Sequence, residues 1–266
     1  MCGIVGFTGR ENALPILIKG LYSLEYRGYD SAGIAAFTKE GLRVVKTRGR
    51  IANLEEKIRE VGCDMECTCG IGHTRWATHG EPSDRNSHPH LGGKGKVAVV
   101  HNGIIENYKE LRERLEAHGY EFKSETDTET VAHLVDYLHT GKQEDLAKTV
   151  LAAVQRLRGS YALGVVSMDN TQEIVAARRG NPLVIGIGEG ENMIASDITA
   201  IISRTRKFII LDDNEVAIVR PDEVIVMNEF GDKVEKEVQT VNWDMSAAEK
   251  GGYQHFMLKE IMEQPK

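Results

Sequence analysis

The pattern of apolar and polar residues divides the first half of the chain into short strands and helices. Short apolar runs bounded by turn residues predict strands, and apolar residues three or four positions apart predict helices. The predicted strands are Gly3 to Thr8, Ser31 to Phe37, Leu42 to Thr47, Thr68 to His73 and Val97 to His101. Helical spacing covers four segments: Leu14 to Leu24, Tyr108 to Leu115, a segment that begins close to Asp127, and Asp145 to Leu157.

Two of these helices carry signals at their ends. Gly119 follows the second helix as a C-terminal cap, because glycine readily adopts the left-handed conformation that ends a helix. Thr126 and Glu129 have the spacing of a capping box, in which a hydroxyl and a carboxyl satisfy free backbone N–H groups. We therefore expect the third helix to begin close to Asp127.

Short strands dominate the second half of the chain. They are predicted at Ser160 to Met168, Glu173 to Ala177, Leu183 to Ile187, Asn192 to Ala195, Phe208 to Leu211, Glu215 to Val219 and Glu223 to Asn228. Asp169-Asn170 and Gly188-Glu189-Gly190 separate consecutive strands and are typical of hairpin turns. Strand-rich segments around grouped helices predict an α+β sandwich of antiparallel sheets rather than a doubly wound parallel sheet.

The hairpin pattern fades from about Val241. Gly251-Gly252 then precedes a new helical run, His255 to Met262. We expect one domain over residues 2–242, followed over residues 243–266 by a linker and the start of a further unit.

Composition and charge narrow the class of protein. The chain has 266 residues, 41% hydrophobic and 27% charged, so we expect a packed core rather than a disordered or fibrous chain. A net charge of −7 has the wrong sign for binding nucleic acid through its phosphates. No apolar run approaches the roughly 20 residues of a membrane span, and the first residues lack signal-peptide features. We expect a cytoplasmic protein, with neither nucleic acid nor membrane as partner, whose four cysteines are thiols.

Cys2 is the most informative single residue. Removal of Met1 would leave a thiol and a free α-amine on the same residue. A thiolate is a strong nucleophile, and an α-amino group with a pKa of about 8 can accept the thiol proton near neutral pH. The alternative is a small buried hydrophobe without a chemical role, which is the more frequent case for a cysteine considered alone.

The apolar run from Val97 ends in Asn102-Gly103. There a side-chain amide and an unencumbered backbone N–H can both point at a developing oxyanion. The alternative is a tight Asn-Gly turn. A hairpin turn would need a returning strand at once, whereas Ile104 to Leu111 has a helical pattern, so this alternative is weakened.

Two further segments can bind the charged groups of a ligand. Arg75 and Trp76 lie just beyond a strand, where an arginine can hold a carboxylate by two hydrogen bonds and an indole can close over a small ligand. Asp127 either caps its helix or accepts an ammonium group. A thiol, an oxyanion hole, a carboxylate clamp and an ammonium acceptor together describe a site for an amino acid that bears an acyl group.

Two polar clusters leave more than one interpretation open. The segment Arg27 to Gly33 is either a satisfied turn or a backing for Cys2. Cys63, Cys67 and Cys69 precede five histidines between residues 73 and 101, which suggests zinc. Their spacing fits neither paired CxxC knuckles nor HExxH, so we expect no metal and no cofactor, and we assign the three cysteines no role.

Five motifs carry a resemblance to a known family. In chain order they are Cys2-Gly-Ile-Val-Gly6, Arg27-Gly-Tyr-Asp-Ser-Ala-Gly33, Gly72-His-Thr-Arg-Trp-Ala-Thr-His-Gly80, His101-Asn-Gly-Ile-Ile-Glu-Asn107 and Thr126-Asp-Thr-Glu129. They resemble the glutaminase half of glutamine:fructose-6-phosphate aminotransferases, which are class II glutamine amidotransferases. The resemblance covers about Cys2 to Asn242. The second and third motifs look like this family rather than amidophosphoribosyltransferases or asparagine synthetases.

The resemblance implies a fold, a mechanism and a set of site residues. The fold is the four-layer αββα sandwich of N-terminal-nucleophile hydrolases, and the mechanism passes through a γ-glutamyl thioester. Cys2 attacks the carboxamide of L-glutamine, and Asn102 with Gly103 holds the oxyanion. The residues expected to bind the substrate are Arg75 for the α-carboxylate, Asp127 for the α-ammonium, and Trp76, Thr78 and His79 on the same loop as Arg75. Arg27 and Gly28 are expected to support the site.

The resemblance also concerns what lies beyond the domain. In this family the ammonia passes to fructose 6-phosphate in a C-terminal isomerase half, which this sequence lacks, and the full-length enzyme is expected to be a homodimer. The tail from His255 to Ile261 resembles the entry to that half. The alternative function is a non-catalytic module that binds glutamine or glutamate, which would follow if Met1 were retained.

Overall fold

Most central strands carry apolar residues on both faces, and the fold covers both faces. In the computed structural model, which describes residues 2–61, 67–139 and 145–241, two antiparallel sheets pack against each other. Helices cover the outer face of each sheet. The expected α+β architecture, a four-layer αββα sandwich, is therefore confirmed.

The elements of the described residues are numbered in chain order. The strands are β1 (Gly3–Thr8), β2 (Ser31–Thr38), β3 (Gly41–Arg48), β4 (Cys69–Arg75), β5 (His90–Leu91), β6 (Val97–Ile105), β7 (Gly159–Ser167), β8 (Asn170–Arg179), β9 (Val184–Ile187), β10 (Asn192–Ala195), β11 (Lys207–Ile210), β12 (Glu215–Arg220), β13 (Glu223–Met227), β14 (Lys233–Val234) and β15 (Gln239–Thr240). The helices are α1 (Ala13–Leu24), α2 (Ile51–Glu60), α3 (Tyr108–Ala117), α4 (Asp127–Leu138) and α5 (Leu146–Val154).

The sheet topology brings the first strand to the middle of its sheet. The first sheet has the order β15-β11-β9-β10-β1-β4-β2-β3, and the second has the order β14-β13-β12-β8-β7-β6-β5. Neighbouring strands in both sheets are antiparallel. As a result, the chain start is held between β4 and β10 rather than at a sheet edge.

Alternation of side chains along the strands builds the layers. On β1, Ile4 enters the apolar cluster between the two sheets, and Val5 enters the cluster beneath α1 and α2. On β6, Val100 faces the other sheet, and Val99 packs with α3, α4 and α5. Because successive strand residues point to opposite faces, a continuous apolar run is what a strand buried on both faces requires.

Most predicted elements are present where the sequence indicated them, but the two-residue strands β5, β14 and β15 were not predicted, and two longer segments differ. The helix α2 was not predicted, although Ile51, Leu54 and Ile58 have helical spacing and form its buried face. The strand β6 continues to Ile105, where the sequence pattern indicated a helix. Its last residues pair with the start of β7, so Ile104 lies opposite Ser160 and α3 begins only at Tyr108. The hydrogen bonds of a partner strand are not visible in local spacing.

The predicted helix ends are present with one change of partner. Gly119 follows α3 with a φ of +86°, as expected of a residue that ends a helix. The Thr126 hydroxyl accepts a hydrogen bond from the N–H of Glu129, 3.4 Å away, and so caps α4. The Glu129 carboxylate accepts from the N–H groups of Lys123 and Ser124, at 2.9 and 2.6 Å, rather than from Thr126.

Some predictions lie outside the described residues. These are the role of Cys63, the domain boundary at residue 242 and the helix from His255 to Met262. Within the described ranges, no helix has both the length and the apolar character needed to cross a membrane.

Candidate active site

Cys2 immediately precedes β1 and lies beside the end of β4. In the register of these strands, Gly3 is opposite Thr74, so Cys2 is next to the residues that follow β4. The backbone N–H of Trp76 donates to the Cys2 Sγ over 3.2 Å. Burial raises the pKa of the Cys2 thiol, so formation of the thiolate near neutral pH requires a proton acceptor.

Asn102 lies on β6 of the other sheet, and its amide connects the two sheets at this point. Its Nδ2 donates to the backbone carbonyl oxygen of Cys2 over 3.0 Å. Its Oδ1 is 2.9 Å from the Nε2 of His73 on β4. The fold therefore brings into direct contact two residues that lie 100 positions apart in the sequence.

Gly103 occupies a position that only glycine can fill. Its φ is +130°, and a Cβ built there would lie 2.1 Å from the carbonyl oxygen of Ser160. Asn102 and Gly103 pair with Ala162 and Tyr161 of β7, inside a continuing strand. They are therefore not the tight turn that the sequence left open.

Arg75 ends β4 and is almost fully buried, with 3% of its surface exposed. Its Nη2 donates to the carbonyl oxygens of His79 and Gly80, the latter at 3.1 Å. Its Nη1 is buried without a hydrogen-bond partner among the described residues. Burial lowers the pKa of Arg75, while Asp30, Cys2 and Asp127 lie close enough to raise it through their charges. The guanidinium remains a cation and keeps a donor for a ligand.

The loop after Arg75 is held from the segment that precedes β2. The Asp30 carboxylate accepts a hydrogen bond from the N–H of Ala77. A Cβ on Gly28 would lie 2.8 Å from the backbone carbon of Arg75, so the two chain segments are in close contact. The Trp76 indole is 48% exposed and meets the Tyr29 ring edge-on, with 5.6 Å between centroids. Gly28 thus leaves room for this close contact, through which we predict that it supports the site.

The other predicted loop residues differ in their surroundings. Thr78 is exposed, and His79 is half-buried with its ring edge-on to Tyr108, 5.6 Å between centroids. The guanidinium of Arg27 forms an ion pair with Asp197. Its predicted supporting role stays a prediction.

Asp127 is the first residue of α4 and is 5% exposed. Its Oδ2 accepts a hydrogen bond from the backbone N–H of Ile105 at 2.8 Å and is 4.0 Å from the Nδ1 of His101. Because the Thr126 side chain caps the helix, the capping role that the sequence also allowed for Asp127 belongs to its neighbour. Asp127 instead ties α4 to the end of β6.

Two further residues beside the candidate site lie within the sequence motifs, although the motifs assigned them no individual role. Asp30 anchors the loop at Ala77, and His73 contacts the amide of Asn102. Their positions in the sequence could have indicated a role, because each lies in a motif that also contains a predicted site residue. The contacts themselves join residues 47 and 29 positions apart.

The cysteine and histidine cluster of the sequence does not assemble into a metal centre within the described ranges. No group of three His, Cys, Asp or Glu side chains there is arranged to hold a metal ion. Cys67 and Cys69 are buried, Cys69 is a free thiol, and burial raises the pKa of Cys69 to about 12. His73, His88 and His90 are buried, the ring of His88 contacts those of the other two, and burial lowers the pKa of each.

Comparison with known proteins agrees with this geometry. A family model described as a glutamine amidotransferase domain matches residues 73–203, a range that includes Arg75, Asn102, Gly103 and Asp127. The whole chain is 53% identical over 266 residues to the glutamine–fructose-6-phosphate aminotransferase (isomerizing) of Clostridium tetani. The chain belongs to the glutamine amidotransferase family. The alignment covers 100% of this amidotransferase chain and 43% of the relative.

Another relative and a solved structure extend the similarity. The aminotransferase of the same name from Caldanaerobacter subterraneus subsp. tengcongensis is 55% identical over 265 residues, which are 100% of this chain and 43% of that protein. The amidotransferase chain thus spans less than half the length of these curated relatives. The glutamine phosphoribosylpyrophosphate amidotransferase of B. subtilis, solved with ADP and GMP, superposes with a TM-score of 0.72 at 27% identity. That match covers 86% of this chain and 49% of the solved chain.

Proposed function

We propose that this amidotransferase domain hydrolyses L-glutamine to L-glutamate and ammonia, with Cys2 as the nucleophile. The observation that carries the proposal is the contact between Asn102 and Cys2, because it brings an oxyanion-binding amide to the one predicted nucleophile. The charge of Arg75 interacts with both Cys2 and Asp127. The positive Arg75 and the negative Asp127 have the right signs for the α-carboxylate and the α-ammonium of an amino acid. The site thus combines a nucleophile with recognition of both charged groups of its substrate.

Activation of the thiol depends on removal of Met1. The free α-amine of Cys2 then accepts the thiol proton, directly or through a water molecule. Such a base is required, because burial raises the pKa of the thiol and leaves it protonated near neutral pH. A retained Met1 would convert the amine into an amide that cannot accept a proton.

The chemistry then follows in two steps. The thiolate attacks the side-chain carbonyl carbon of glutamine, an S–C bond forms, and the oxygen becomes an oxyanion held by the Asn102 amide and the Gly103 N–H. The protonated α-amine gives its proton to the leaving nitrogen, so that the C–N bond breaks and ammonia departs. Water, deprotonated by the same amine, attacks the γ-glutamyl thioester and releases glutamate and the Cys2 thiol.

Recognition of the substrate rests on two buried charges. Arg75 keeps Nη1 for the α-carboxylate while its other nitrogen holds the loop. Asp127 faces the α-ammonium with the carboxylate that also accepts from Ile105. Trp76, Thr78 and His79 lie on the loop that would close over the bound amino acid. Because each charged group of the substrate would form a buried ion pair, the site favours a zwitterionic amino acid over an uncharged amide.

The fate of the ammonia lies beyond this domain. The longer relatives are named as aminotransferases that act with fructose 6-phosphate. We propose that in a longer chain the ammonia produced at Cys2 converts fructose 6-phosphate to glucosamine 6-phosphate in an isomerase half, and that the full-length enzyme is a homodimer. We also propose a cytoplasmic location, because the proposed nucleophile Cys2 has to stay a thiol, and a reducing compartment keeps it in that form.

The test is glutamate release from glutamine by the chain, with the mass of its N-terminus determined. Activity is expected when Met1 is absent, and none is expected for Cys2→Ala or for a chain with lysine inserted after Met1, which blocks trimming. Calorimetry on the same samples measures glutamine binding. A trimmed chain that binds glutamine and releases no glutamate would overturn the proposal in favour of a binding module.

A further inference from the structure

An oxyanion hole built from a side-chain amide needs that amide in one orientation. The two ends of an asparagine amide are alike in size, so packing alone does not decide which end faces the nucleophile. In this domain Nδ2 of Asn102 points to Cys2, at 3.0 Å from its carbonyl oxygen, and Oδ1 points away. A rotation by 180° would present an oxygen, rather than N–H groups, to the developing oxyanion.

The atom facing Oδ1 decides between the two orientations. The Nε2 of His73 lies 2.9 Å from Asn102 Oδ1 and 3.0 Å from the backbone carbonyl oxygen of His101. A backbone carbonyl can only accept, so Nε2 carries the proton and donates to both oxygens. The amide end next to it must therefore be the acceptor. A rotated amide would place N–H against N–H at His73 and oxygen against oxygen at Cys2.

The histidine is itself fixed from three sides. His73 lies within β4, opposite Ile4 of β1 and Gly33 of β2, and it has no exposed surface. Its ring packs on that of His88, with 4.3 Å between centroids. Burial lowers the pKa of His73 to about 3, so the ring is neutral near neutral pH. A neutral ring with its proton on Nε2 always offers a donor to the Asn102 amide, so it favours one orientation of that amide.

We propose that His73 is a positioning residue that holds the Asn102 amide with its N–H groups toward Cys2, so that the oxyanion hole is formed before glutamine binds. This inference rests on the proposed glutaminase function, and it adds to it a residue that touches neither substrate nor thiol. The competing explanation is that His73 only fills the core. The two explanations predict different effects of replacing His73. Loss of the amide orientation would weaken binding of the charged intermediate, whereas loss of core packing would impair every property of the site.

The central experiment compares two substitutions of similar length. His73→Gln can place an amide N–H near the position of Nε2, and His73→Met fills the volume without a donor. We expect kcat of His73→Met to fall about 10- to 100-fold, part of the effect of removing an oxyanion donor, with KM for glutamine changed less than about threefold. His73→Gln should retain most of the wild-type kcat. Equal activity of His73→Met and wild type would overturn the proposal.

A second readout separates orientation from packing. Glutamate γ-semialdehyde binds by adding the Cys2 thiol to its aldehyde: the S–C bond forms, and the thiol proton ends on the former carbonyl oxygen, which lies in the oxyanion hole. L-glutamate makes no such adduct. In His73→Met the affinity for the aldehyde should fall in parallel with kcat, while the affinity for glutamate is kept. Loss of both affinities in equal measure, in the Met and Gln variants alike, would show a core residue only.

A measurement on unsubstituted His73 covers the case in which the variants do not fold. The ¹⁵N spectrum of labelled wild-type protein should show His73 as the neutral form protonated on Nε2, and Asn102→Ala should shift the Nε2 signal but not Nδ1. Protonation on Nδ1, or no response to Asn102→Ala, would overturn the proposal. This spectrum does not depend on turnover, so an inactive wild type contradicts the proposed function while the spectrum still decides the role of His73.

Discussion

The guanidinium of Arg75 donates a hydrogen bond to the carbonyl oxygen of Gly80, 3.1 Å away, across the loop that Arg75 itself begins. One side chain therefore fixes both ends of that loop. Because its Nη1 remains buried without a partner in the described parts of the chain, the same group has a donor left for a carboxylate. The loop geometry and the proposed recognition of the α-carboxylate therefore depend on the same residue.

Replacement of Arg75 by lysine should separate charge from geometry. An ammonium group keeps the positive charge but cannot form the forked contacts of a guanidinium, so Arg75→Lys loses either the loop carbonyls or the ligand. We expect KM for glutamine to rise at least about 30-fold, equivalent to about 2 kcal/mol. Arg85→Lys, at an exposed arginine paired with Glu125, is the matched control and should leave KM unchanged. A normal KM in Arg75→Lys would contradict the assigned role.

Substitution of Gly103 should affect both stability and catalysis. An added Cβ would be strained at a φ of +130° and would collide with Ser160, so Gly103→Ala should lower the free energy of unfolding by at least about 3 kcal/mol. Gly95→Ala is the comparison: Gly95 also has positive φ, +71°, but no atom lies within 4 Å of its Cβ position. There we expect a loss of about 1 kcal/mol and full activity. Urea unfolding measures the stability of both variants, and steady-state kinetics measures their kcat. Similar losses of stability at the two positions would refute the steric explanation.

Asp127 and Thr126 are neighbours with separable roles. Asp127→Asn keeps an oxygen for the Ile105 N–H but loses the charge, so KM for glutamine should rise at least tenfold, about 1.4 kcal/mol, with little change in stability. Thr126→Val removes the helix cap and should lower the free energy of unfolding by about 1 kcal/mol, with KM nearly unchanged. Steady-state kinetics and chemical unfolding on both variants provide the check. The reverse pattern would show that Asp127 is structural.

Buried histidines should make the domain sensitive to mild acid. Burial lowers the pKa of His73, His88 and His90 in the folded state, whereas an unfolded histidine has a pKa of about 6.5. Below pH 6.5 the unfolded chain therefore binds more protons than the folded one. Stability is full above this pH and is lost as the pH falls through it, by about 1.4 kcal/mol per pH unit for each histidine.

Urea unfolding between pH 7.5 and 5.0 measures this dependence. His90→Gln should give a shallower dependence than wild type, and His118→Gln, at an exposed histidine, should match it. A free energy of unfolding that stays constant down to pH 5.0 would mean that these rings become protonated without unfolding.

The sequence by itself determined most of the helices and strands and the chemistry proposed for the candidate site. Alternation on strands and three-to-four spacing on helices are local properties, so β1, β10 and the start of α4 are found at their predicted residues. The motifs placed Cys2, Arg75 and Asn102 in one hypothesis, since each residue type has its own chemistry. Gly103 belonged to the same hypothesis because of its backbone N–H, but the steric requirement for glycine at this position was not visible in the sequence.

The tertiary structure decided which of these residues meet and what each side chain does there. The extension of β6 to Ile105 depends on β7, and the orientation of the Asn102 amide depends on His73 in the other sheet. Arg27 is held by Asp197, 170 positions away. The physical reason is that hydrogen bonds and close contacts between distant segments form only when the sheets pack. Local spacing in the sequence carries no record of these partners.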